Sequence, residues 1–342
     1  WSSDVCSSDL LEEALTDAAF CLVQLRVGGQ AARLRDETIP LRFGILGQET
    51  TGPGGFAKAL RTVPVVLALA ERYAKRAAPG GWLIDFTNPV GTVAQALADA
   101  GHRSLGLCNV AIGLQREIAG ALGIEASRVE LESVGLNHAS WFREVRVDGR
   151  PVLAELLRDH ADRIADETGW SRAEIEAAGA IPSYYQSFYH HPERILAEQQ
   201  AEGTRASEVI EIERGLLELY ADPMLVEKPA LLSERGGAWY SEAALELVEA
   251  LRSPVGRTLV VDVRNGDAHC VVGERRGLGA DSVRANGDAL RRTICGAEAD
   301  LEEVIIEAPA LPQPAVTNPC GLNGVHGRRP PEPVGGAFAL KR

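Results

Sequence analysis

The stretch WLIDFTNPVGTVAQALADAGHRSLGLCN, residues 82–109, decides the fold class of this chain. Its apolar run at 82–86 predicts a strand, 92–100 has the spacing of an amphipathic helix, and 104–107 predicts a second strand. A strand, a helix and a strand in this order are the repeating unit of a parallel sheet. The sequence therefore predicts an α/β domain around these residues.

The same alternation continues on both sides of this stretch. Apolar spacing predicts three further elements of the domain, a strand at 20–25 and helices at 52–75 and 112–122. From residue 129 the pattern changes to longer strands joined by turns, which is typical of a mixed α+β domain. Its other expected elements are helices at 151–166, 193–220 and 238–251 and a strand at 258–263.

The two ends of the chain do not follow these patterns. Residues 1–10, WSSDVCSSDL, are rich in serine and resemble a translated sequencing adapter, so we exclude them from the fold prediction as a non-native segment. Residues 268–342 end in a stretch rich in proline and glycine and receive no assigned role. We therefore expect a parallel-sheet domain over 11–128 and an α+β domain over 129–267.

Composition narrows the classes of function. A chain of 342 residues with 45% apolar and 24% charged residues is typical of a globular protein, and its net charge of −13 argues against nucleic-acid binding. Apolar runs are all shorter than the ~18 residues of a membrane helix, and the N-terminus lacks the pattern of a secretory signal. The six cysteines form no CxxC pair, so we expect reduced thiols and a cytoplasmic location.

Cys108 and His138 are the strongest candidates for functional residues in this sequence. They lie thirty positions apart, in GLCN at 106–109 and GLNH at 135–138, and each follows an apolar run. A cysteine in such a place is most often a small buried residue, so this pattern alone leaves both a structural role and a metal site open. Asn88, in the Thr-Asn-Pro after a predicted strand, has an equally simple alternative as a turn residue.

Several strings, in order, resemble the NAD- and Mn-dependent glycosidases of glycoside hydrolase family 4, and most closely the branch that cleaves 6-phospho-β-glucosides. The resemblance covers about residues 26–267. The strings are RVGGQAARLRDETIPLRFGILGQETTGPGG at 26–55, ALRTVPV at 59–65, DFTNPVG at 85–91, GLCNVAIG at 106–113, GLNHASW at 135–141 and ERGGAWYSEAA at 234–244.

This resemblance implies a fold and a mechanism. The fold is a Rossmann-like parallel sheet of the lactate/malate dehydrogenase type, followed by an α+β catalytic domain. The opening strand and glycine-rich dinucleotide fingerprint of the family have no counterpart in this sequence, so we expect a truncated sheet that does not hold NAD securely. The implied reaction oxidises the sugar at C3 with NAD, removes the C2 proton with help from Mn²⁺, eliminates the aglycone, adds water and reduces C3 again.

The resemblance also implies roles for single residues. Cys108 and His138 match the metal ligands, and Tyr240 matches the base, with Arg235 as a cation that could assist it. Asn109 occupies the position where asparagine accompanies β-linked and aspartate α-linked substrates. Asn88 matches a residue that contacts the nicotinamide ribose or the substrate.

The remaining candidates are contacts to the substrate, which by resemblance is a phosphorylated disaccharide or β-glucoside. Arg33, Glu49 and Asn137 are candidate contacts to its hydroxyls and phosphate, and Arg264 is a further phosphate candidate. A homo-oligomer, dimer or tetramer, is expected for a full-length protein.

Three alternatives remain open from the sequence. A dehydrogenase of the lactate/malate type shares the fold, but it needs a catalytic histidine with an aspartate partner and two substrate arginines, and it does not need Cys108. A catalytically inactive fragment of the glycosidase is the second alternative, and tight NAD binding would exclude it. An α-type glycosidase of the same family is the third.

Overall fold

A computed structural model describes residues 8–236, 239–253, 258–263, 272–277 and 336–341. The strands are β1 Ala18–Gln24, β2 Trp82–Asp85, β3 Ser104–Gly106, β4 Val129–Leu136, β5 Ala139–Val147, β6 Arg150–Pro151, β7 Ile181–Pro182, β8 Thr258–Val263, β9 Val272–Gly277 and β10 Gly336–Lys341. The α-helices are α1 Ser8–Leu15, α2 Gly29–Leu41, α3 Gly52–Ala74, α4 Val90–Asp99, α5 Asn109–Leu122, α6 Leu153–Asp159, α7 Ala161–Thr168, α8 Arg172–Ala178, α9 Ser187–His190, α10 Pro192–Glu202, α11 Arg205–Tyr220, α12 Leu231–Arg235 and α13 Tyr240–Arg252.

The described strands form one sheet in the order β10-β1-β2-β3-β8-β9-β4-β5-β6, with β7 paired to β5. Strands β1, β2 and β3 are parallel, and their register places Val23, Asp85 and Gly106 side by side. Strand β8 joins β3 antiparallel, and β9 links it to the β4–β5 hairpin. The prediction of an α/β fold with a parallel sheet followed by an α+β part is confirmed.

Apolar side chains bury both faces of the parallel strands. Helices α3 and α4 pack Val66 and Leu97 against Leu83 of β2 on one face. On the other face, α13 packs Leu247 against Ile84 and the neighbouring apolar residues of β3 and β8. Because β2 is covered on both sides, its sequence reads as an unbroken apolar run, as expected for a parallel strand. None of the described helices combines the length and apolar character needed to cross a membrane.

Two long helices expected from the sequence are each broken in two. Residues 151–166 form α6 and α7, which are separated at His160, where φ is −129°. Residues 193–220 form α10 and α11, which are separated at Gly203, where φ is +91°. A residue with a Cβ rarely adopts this backbone conformation, so glycine permits the break. The prediction of one continuous helix in each segment is therefore wrong.

Candidate functional site

An open cleft of about 1220 Å³ lies beside the carboxyl ends of the parallel strands. Gln24 at the end of β1, Asn88 after β2 and Cys108 after β3 all line it. Open α/β sheets bind their ligands outside the carboxyl ends of the strands. The fold therefore directs its polar strand-end residues into a cleft large enough for a small-molecule ligand.

Cys108 is the residue that caps the N-terminus of α5. The backbone N–H of Val110 and the side chain of Asn137 both donate hydrogen bonds to its sulfur. Burial, with the nearby carboxylate of Asp262, raises the pKa of the Cys108 thiol to about 12. The sulfur lies 3.3 Å from Nε2 of His138. A divalent cation at this point would oppose the effect of burial and favour the thiolate.

His138 reaches Cys108 from the turn between β4 and β5. Residues 137 and 138 connect the paired Leu136 and Ala139, and His138 has a φ of +60°. Its ring stacks on Tyr185 at a centroid distance of 3.7 Å, and its Nδ1 lies 2.9 Å from Oγ1 of Thr50. Burial lowers the pKa of His138 to about 3, so the ring is neutral, as a metal ligand requires.

The arrangement of Cys108 and His138 fits two ligands of one cation. With the bond lengths of a zinc site, about 2.3 Å to sulfur and 2.1 Å to nitrogen, angles of 90–109° separate the two ligand atoms by about 3.1–3.6 Å. The described residues hold no group of three or more His, Cys, Asp or Glu side chains around a common point, so other positions on the cation would be open. Oδ1 of Asn109 is buried beside the site, and no hydrogen bond to it is formed within the described chain. The site can therefore accept a further ligand.

Tyr240 enters the cleft from the first turn of α13. Its ring packs edge-on against Phe86 at a centroid distance of 4.9 Å. Burial raises the pKa of Tyr240 above its ordinary range, the negative charges of Cys108 and Glu49 add to the rise, and Arg26 and Arg235 oppose it. As expected, the charge of Arg235 lowers the pKa of Tyr240, but this effect is smaller than the rise that burial causes.

A buried group of charges lies at the base of the cleft around Glu49. Its carboxylate accepts hydrogen bonds from Lys58 at 2.5 Å and from Arg26 at 2.6 Å, and Arg33 lies 3.5 Å away. These three cations hold the pKa of Glu49 well below its usual range, despite its burial. Burial lowers the pKa of Lys58 to about 8, against the opposite effect of Glu49. With Glu37, which pairs with Arg33, the group holds three positive and two negative side chains, so a small excess of positive charge faces the cleft and suits an anionic ligand.

Arg33 also belongs to a second contact. Its Nε donates to Glu37 at 2.7 Å, and the other oxygen of Glu37 accepts the backbone N–H of Ala206 at 2.7 Å. The pair thus connects α2 to the N-terminus of α11, and it holds the Arg33 side chain at the edge of the cleft.

Glycines fix the loop that carries Glu49 and Thr50. A Cβ on Gly47 would lie 1.9 Å from the carbonyl oxygen of Glu37, and one on Gly54 would lie 2.4 Å from that of Gln48. The loop therefore packs directly on α2 and on the start of α3. The glycines around 52–55 begin α3, as expected, and they also permit this close backbone approach.

Most of the candidates from the sequence come together in the cleft. Its lining includes Arg33, Glu49, Asn88, Cys108, Asn109, His138 and Tyr240. Asn137 instead lies behind Cys108, where its side chain also donates to Asp262, so its position favours support of the site over contact with substrate. Arg264 lies outside the described residues.

Four further site residues were not identified from the sequence, namely Arg26, Thr50, Lys58 and Tyr185. Lys58 carried a local signal, because it falls on the buried face of α3 in the series Gly54, Lys58, Thr62 and Val66. A charged residue at such a position usually has a buried partner. Thr50 and Tyr185 carried no such signal, since their roles depend on His138, which is distant in sequence.

Comparison with known proteins defines the class of this protein. Two sequence profiles match, family 4 glycosyl hydrolase over residues 3–124 and the family 4 glycosyl hydrolase C-terminal domain over residues 133–269. Together they span most of the chain, and the chain belongs to family 4 of the glycosyl hydrolases.

Individual relatives give more detail. The chain is 40% identical over 252 residues to a probable 6-phospho-beta-glucosidase of Bacillus subtilis, an alignment that covers 70% of this chain and 57% of the relative. It is 37% identical over 254 residues to the 6-phospho-beta-glucosidase of Escherichia coli, covering 70% and 56%. The structure of the Thermotoga maritima 6-phospho-beta glucosidase with manganese, NAD⁺ and glucose-6-phosphate matches with a TM-score of 0.72 and 33% identity, covering 78% of this chain and 66% of that one. The chain thus spans less than two thirds of the length of these relatives.

Proposed function

We propose that this chain belongs to an NAD- and Mn²⁺-dependent enzyme that hydrolyses 6-phospho-β-glucosides. The observation that carries the proposal is the meeting of Cys108 and His138, 3.3 Å apart, in a cleft that Asn109 and Tyr240 also line. The names of the relatives support the same substrate class.

The buried charges suit the phosphate of this substrate. Arg26, Arg33 and Lys58 line the cleft around Glu49, and Arg33 also pairs with Glu37. A phosphate dianion could accept hydrogen bonds from these cations, and charge-assisted bonds of this kind are stronger than neutral ones. We propose this group as the binding site of the 6-phosphate, together with the untested candidate Arg264.

The fit of the two cofactors differs. Cys108 and His138 would hold Mn²⁺, whose charge, when bound, would polarise the oxygen at C3 of the sugar and stabilise negative charge that develops at C2 and C3. NAD⁺, when bound, would accept the hydride from C3. Asn88, which lines the cleft, would contact its nicotinamide end, but no Gly-x-Gly-x-x-Gly string follows β1, β2 or β3 to receive its diphosphate.

The chain's own side chains then account for the movement of protons. Tyr240, as its phenolate, would accept the C2 proton. Because burial raises the pKa of Tyr240, the charge of a bound Mn²⁺, together with Arg26 and Arg235, would have to favour the phenolate form. Asn109 has an amide with no acidic proton to give to the leaving group. Departure of the aglycone from a β-linkage would therefore depend on elimination, with water as the proton donor. Asn109 is the basis for proposing a β-specific enzyme over the α-type alternative.

The dehydrogenase alternative finds less support in the geometry. Among the described residues that line the cleft, the histidine is His138, and its Nδ1 lies 2.9 Å from the hydroxyl of Thr50 and not beside an aspartate. A catalytic His–Asp pair is what that alternative requires.

We also propose a cytoplasmic location, because phosphorylated sugars do not diffuse across membranes. We further propose a homo-oligomeric assembly, which light scattering would test.

Activity with defined cofactors tests the proposal. We expect release of p-nitrophenol from p-nitrophenyl 6-phospho-β-glucoside to require both NAD⁺ and Mn²⁺, and a thio-linked analogue to be cleaved as well, since elimination needs no protonation of the bridging atom. Cys108→Ala should abolish turnover. Cys21→Ala is the control, because Cys21 is a free cysteine that packs in the core between β1 and α3 and does not line the cleft. Turnover that persists after chelation of the metal would refute the mechanism, and inactivity with both cofactors present would support the inactive-fragment alternative.

A further inference from the structure

The hydrogen bonds of Thr50 determine where its hydroxyl proton lies. Its backbone N–H donates to Oε1 of Gln48 at 2.5 Å, and its Oγ1 lies 2.7 Å from the same oxygen. A backbone N–H can only donate, so the Gln48 atom that faces it must be the carbonyl oxygen. That oxygen can only accept, and the hydroxyl of Thr50 therefore gives its single proton to Gln48.

This assignment fixes the protonation of His138. Nδ1 of His138 lies 2.9 Å from Oγ1 of Thr50, whose own proton is already used. The only hydrogen bond left between these two atoms has Nδ1 as the donor. In a neutral imidazole one nitrogen carries the proton, so Nε2 is bare, and its lone pair lies on the side of Cys108.

We propose that Gln48 and Thr50 are positioning residues that select the tautomer of His138 and keep Nε2 free to bind a divalent cation. The metal-binding half of this inference rests on the proposed function, whereas the choice of tautomer does not. In other metal sites, partners of this kind orient the ligand histidine, and their loss weakens metal binding by roughly 10- to 100-fold.

The surrounding structure holds this arrangement in place. Gly54 and Gly55 bring the backbone of α3 so close to the loop that a Cβ would lie within 2.5 Å of Gln48 or Thr50 atoms. The stacked ring of Tyr185, 3.7 Å from that of His138, opposes rotation of the imidazole. Neither the loop nor the ring can easily move to exchange the partner of Nδ1.

The direct test is the tautomer itself, observed in the metal-free chain. Long-range ¹H–¹⁵N NMR of histidine-labelled protein distinguishes the two neutral tautomers, and His138→Gln identifies the ring signals of His138. We expect the wild type to carry the proton on Nδ1. Thr50→Val and Gln48→Leu should both move population to the Nε2–H tautomer, the first by removing the acceptor and the second by freeing the Thr50 hydroxyl to donate.

Two variants serve as controls. Thr50→Ser keeps the hydroxyl and should keep the wild-type tautomer. Thr38→Val removes a hydroxyl that bonds within α2, to the carbonyl of Leu34, and should leave the ring signals of His138 unchanged. An Nε2–H tautomer in the wild type, or Nδ1–H retained in both Thr50→Val and Gln48→Leu, would overturn the inference. If Thr50→Val does not fold, Gln48→Leu decides.

Metal binding separates this inference from the proposed function. Titration with Co²⁺, followed by the absorption of a cobalt–thiolate bond, should show roughly 10-fold or greater weakening in Thr50→Val and little change in Thr50→Ser. If the wild type binds no Co²⁺ while the tautomers respond as expected, the metal site of the proposed function fails and the tautomer assignment stands. If the wild type binds Co²⁺ and Thr50→Val binds it equally well, the inferred link between tautomer and metal binding is refuted.

Discussion

Replacing Glu49 with glutamine is expected to destabilise the chain more than any exposed Glu→Gln change. The Glu49 carboxylate is buried and contacts Lys58 at 2.5 Å and Arg26 at 2.6 Å, with Arg33 at 3.5 Å. Glutamine keeps the shape but removes the charge, and it leaves the cations without their shared counterion. Loss of one partner from a buried ion pair costs about 3–5 kcal/mol. Because the amide can still accept a hydrogen bond, we expect about 3 kcal/mol.

Urea denaturation at pH 7 measures this loss directly. The matched control is Glu176→Gln, which breaks an exposed pair with Arg172 at 2.7 Å and should have little effect. The pH dependence supplies a second test. Since the folded pKa of Glu49 lies below its ordinary value of 4.5, its stabilising effect is complete above that pH and is lost as pH falls further. The difference between wild type and Glu49→Gln should therefore shrink as pH falls below about 4.5. Equal losses in the two variants at pH 7 would refute the reasoning.

Other changes test the fold and the specificity. Burial raises the pKa of Asp85 from 3.8 to about 8, so the stability of the wild type should fall as pH rises between these values. The Tm of Asp85→Asn relative to wild type should therefore increase from pH 5 to pH 8.5, and a constant difference would contradict this. Gly47→Ala should lower the free energy of unfolding by about 3 kcal/mol or more in urea denaturation, because the new Cβ would clash with the backbone of Glu37. Gly113→Ala, in α5 with open space around it, should instead raise that free energy by about 0.5–1 kcal/mol. Asn109→Asp should raise kcat/KM for the α-linked p-nitrophenyl 6-phosphoglucoside relative to the β-linked one. The ratio should change by about 10²-fold if the new carboxyl acts as a general acid. An unchanged ratio would show that Asn109 does not determine the preferred linkage.

Local sequence patterns were sufficient for the central part of the fold. The apolar run at 82–86 and the spacing of 92–100 predict β2 and α4 because strand and helix periodicity are properties of neighbouring residues. The prediction missed the break at His160 because apolar spacing continues across it. Gly203 and the polar residues around it are a local signal for a helix end, which the prediction of one long helix did not use. The joining of the β4–β5 hairpin to the parallel strands through β8 and β9 depends on long-range pairing, which no local pattern specifies.

The candidate site also contains both residues that the sequence predicts and residues that only the structure identifies. Cys108 and Tyr240 could be chosen because family strings surround them, and the structure places both in the cleft. The contact between Thr50 and His138 joins residues 88 positions apart, and the proton assignment also needs Gln48, so only three-dimensional geometry reveals it. Lys58 is intermediate, because its position on the buried face of α3 is a local signal, whereas only the structure identifies Glu49 as its partner.

The fate of the hydrogen at C2 of the sugar tests the central claim most directly. If Tyr240 removes this proton during the cleavage that we propose, a reaction run in D₂O with NAD⁺ and Mn²⁺ must incorporate solvent deuterium at C2 of the glucose 6-phosphate product, as observed by ¹H NMR. Tyr240→Phe should lose turnover and incorporation together. Product formed with its C2 hydrogen fully retained would contradict the account, because direct displacement at the anomeric carbon leaves that hydrogen untouched.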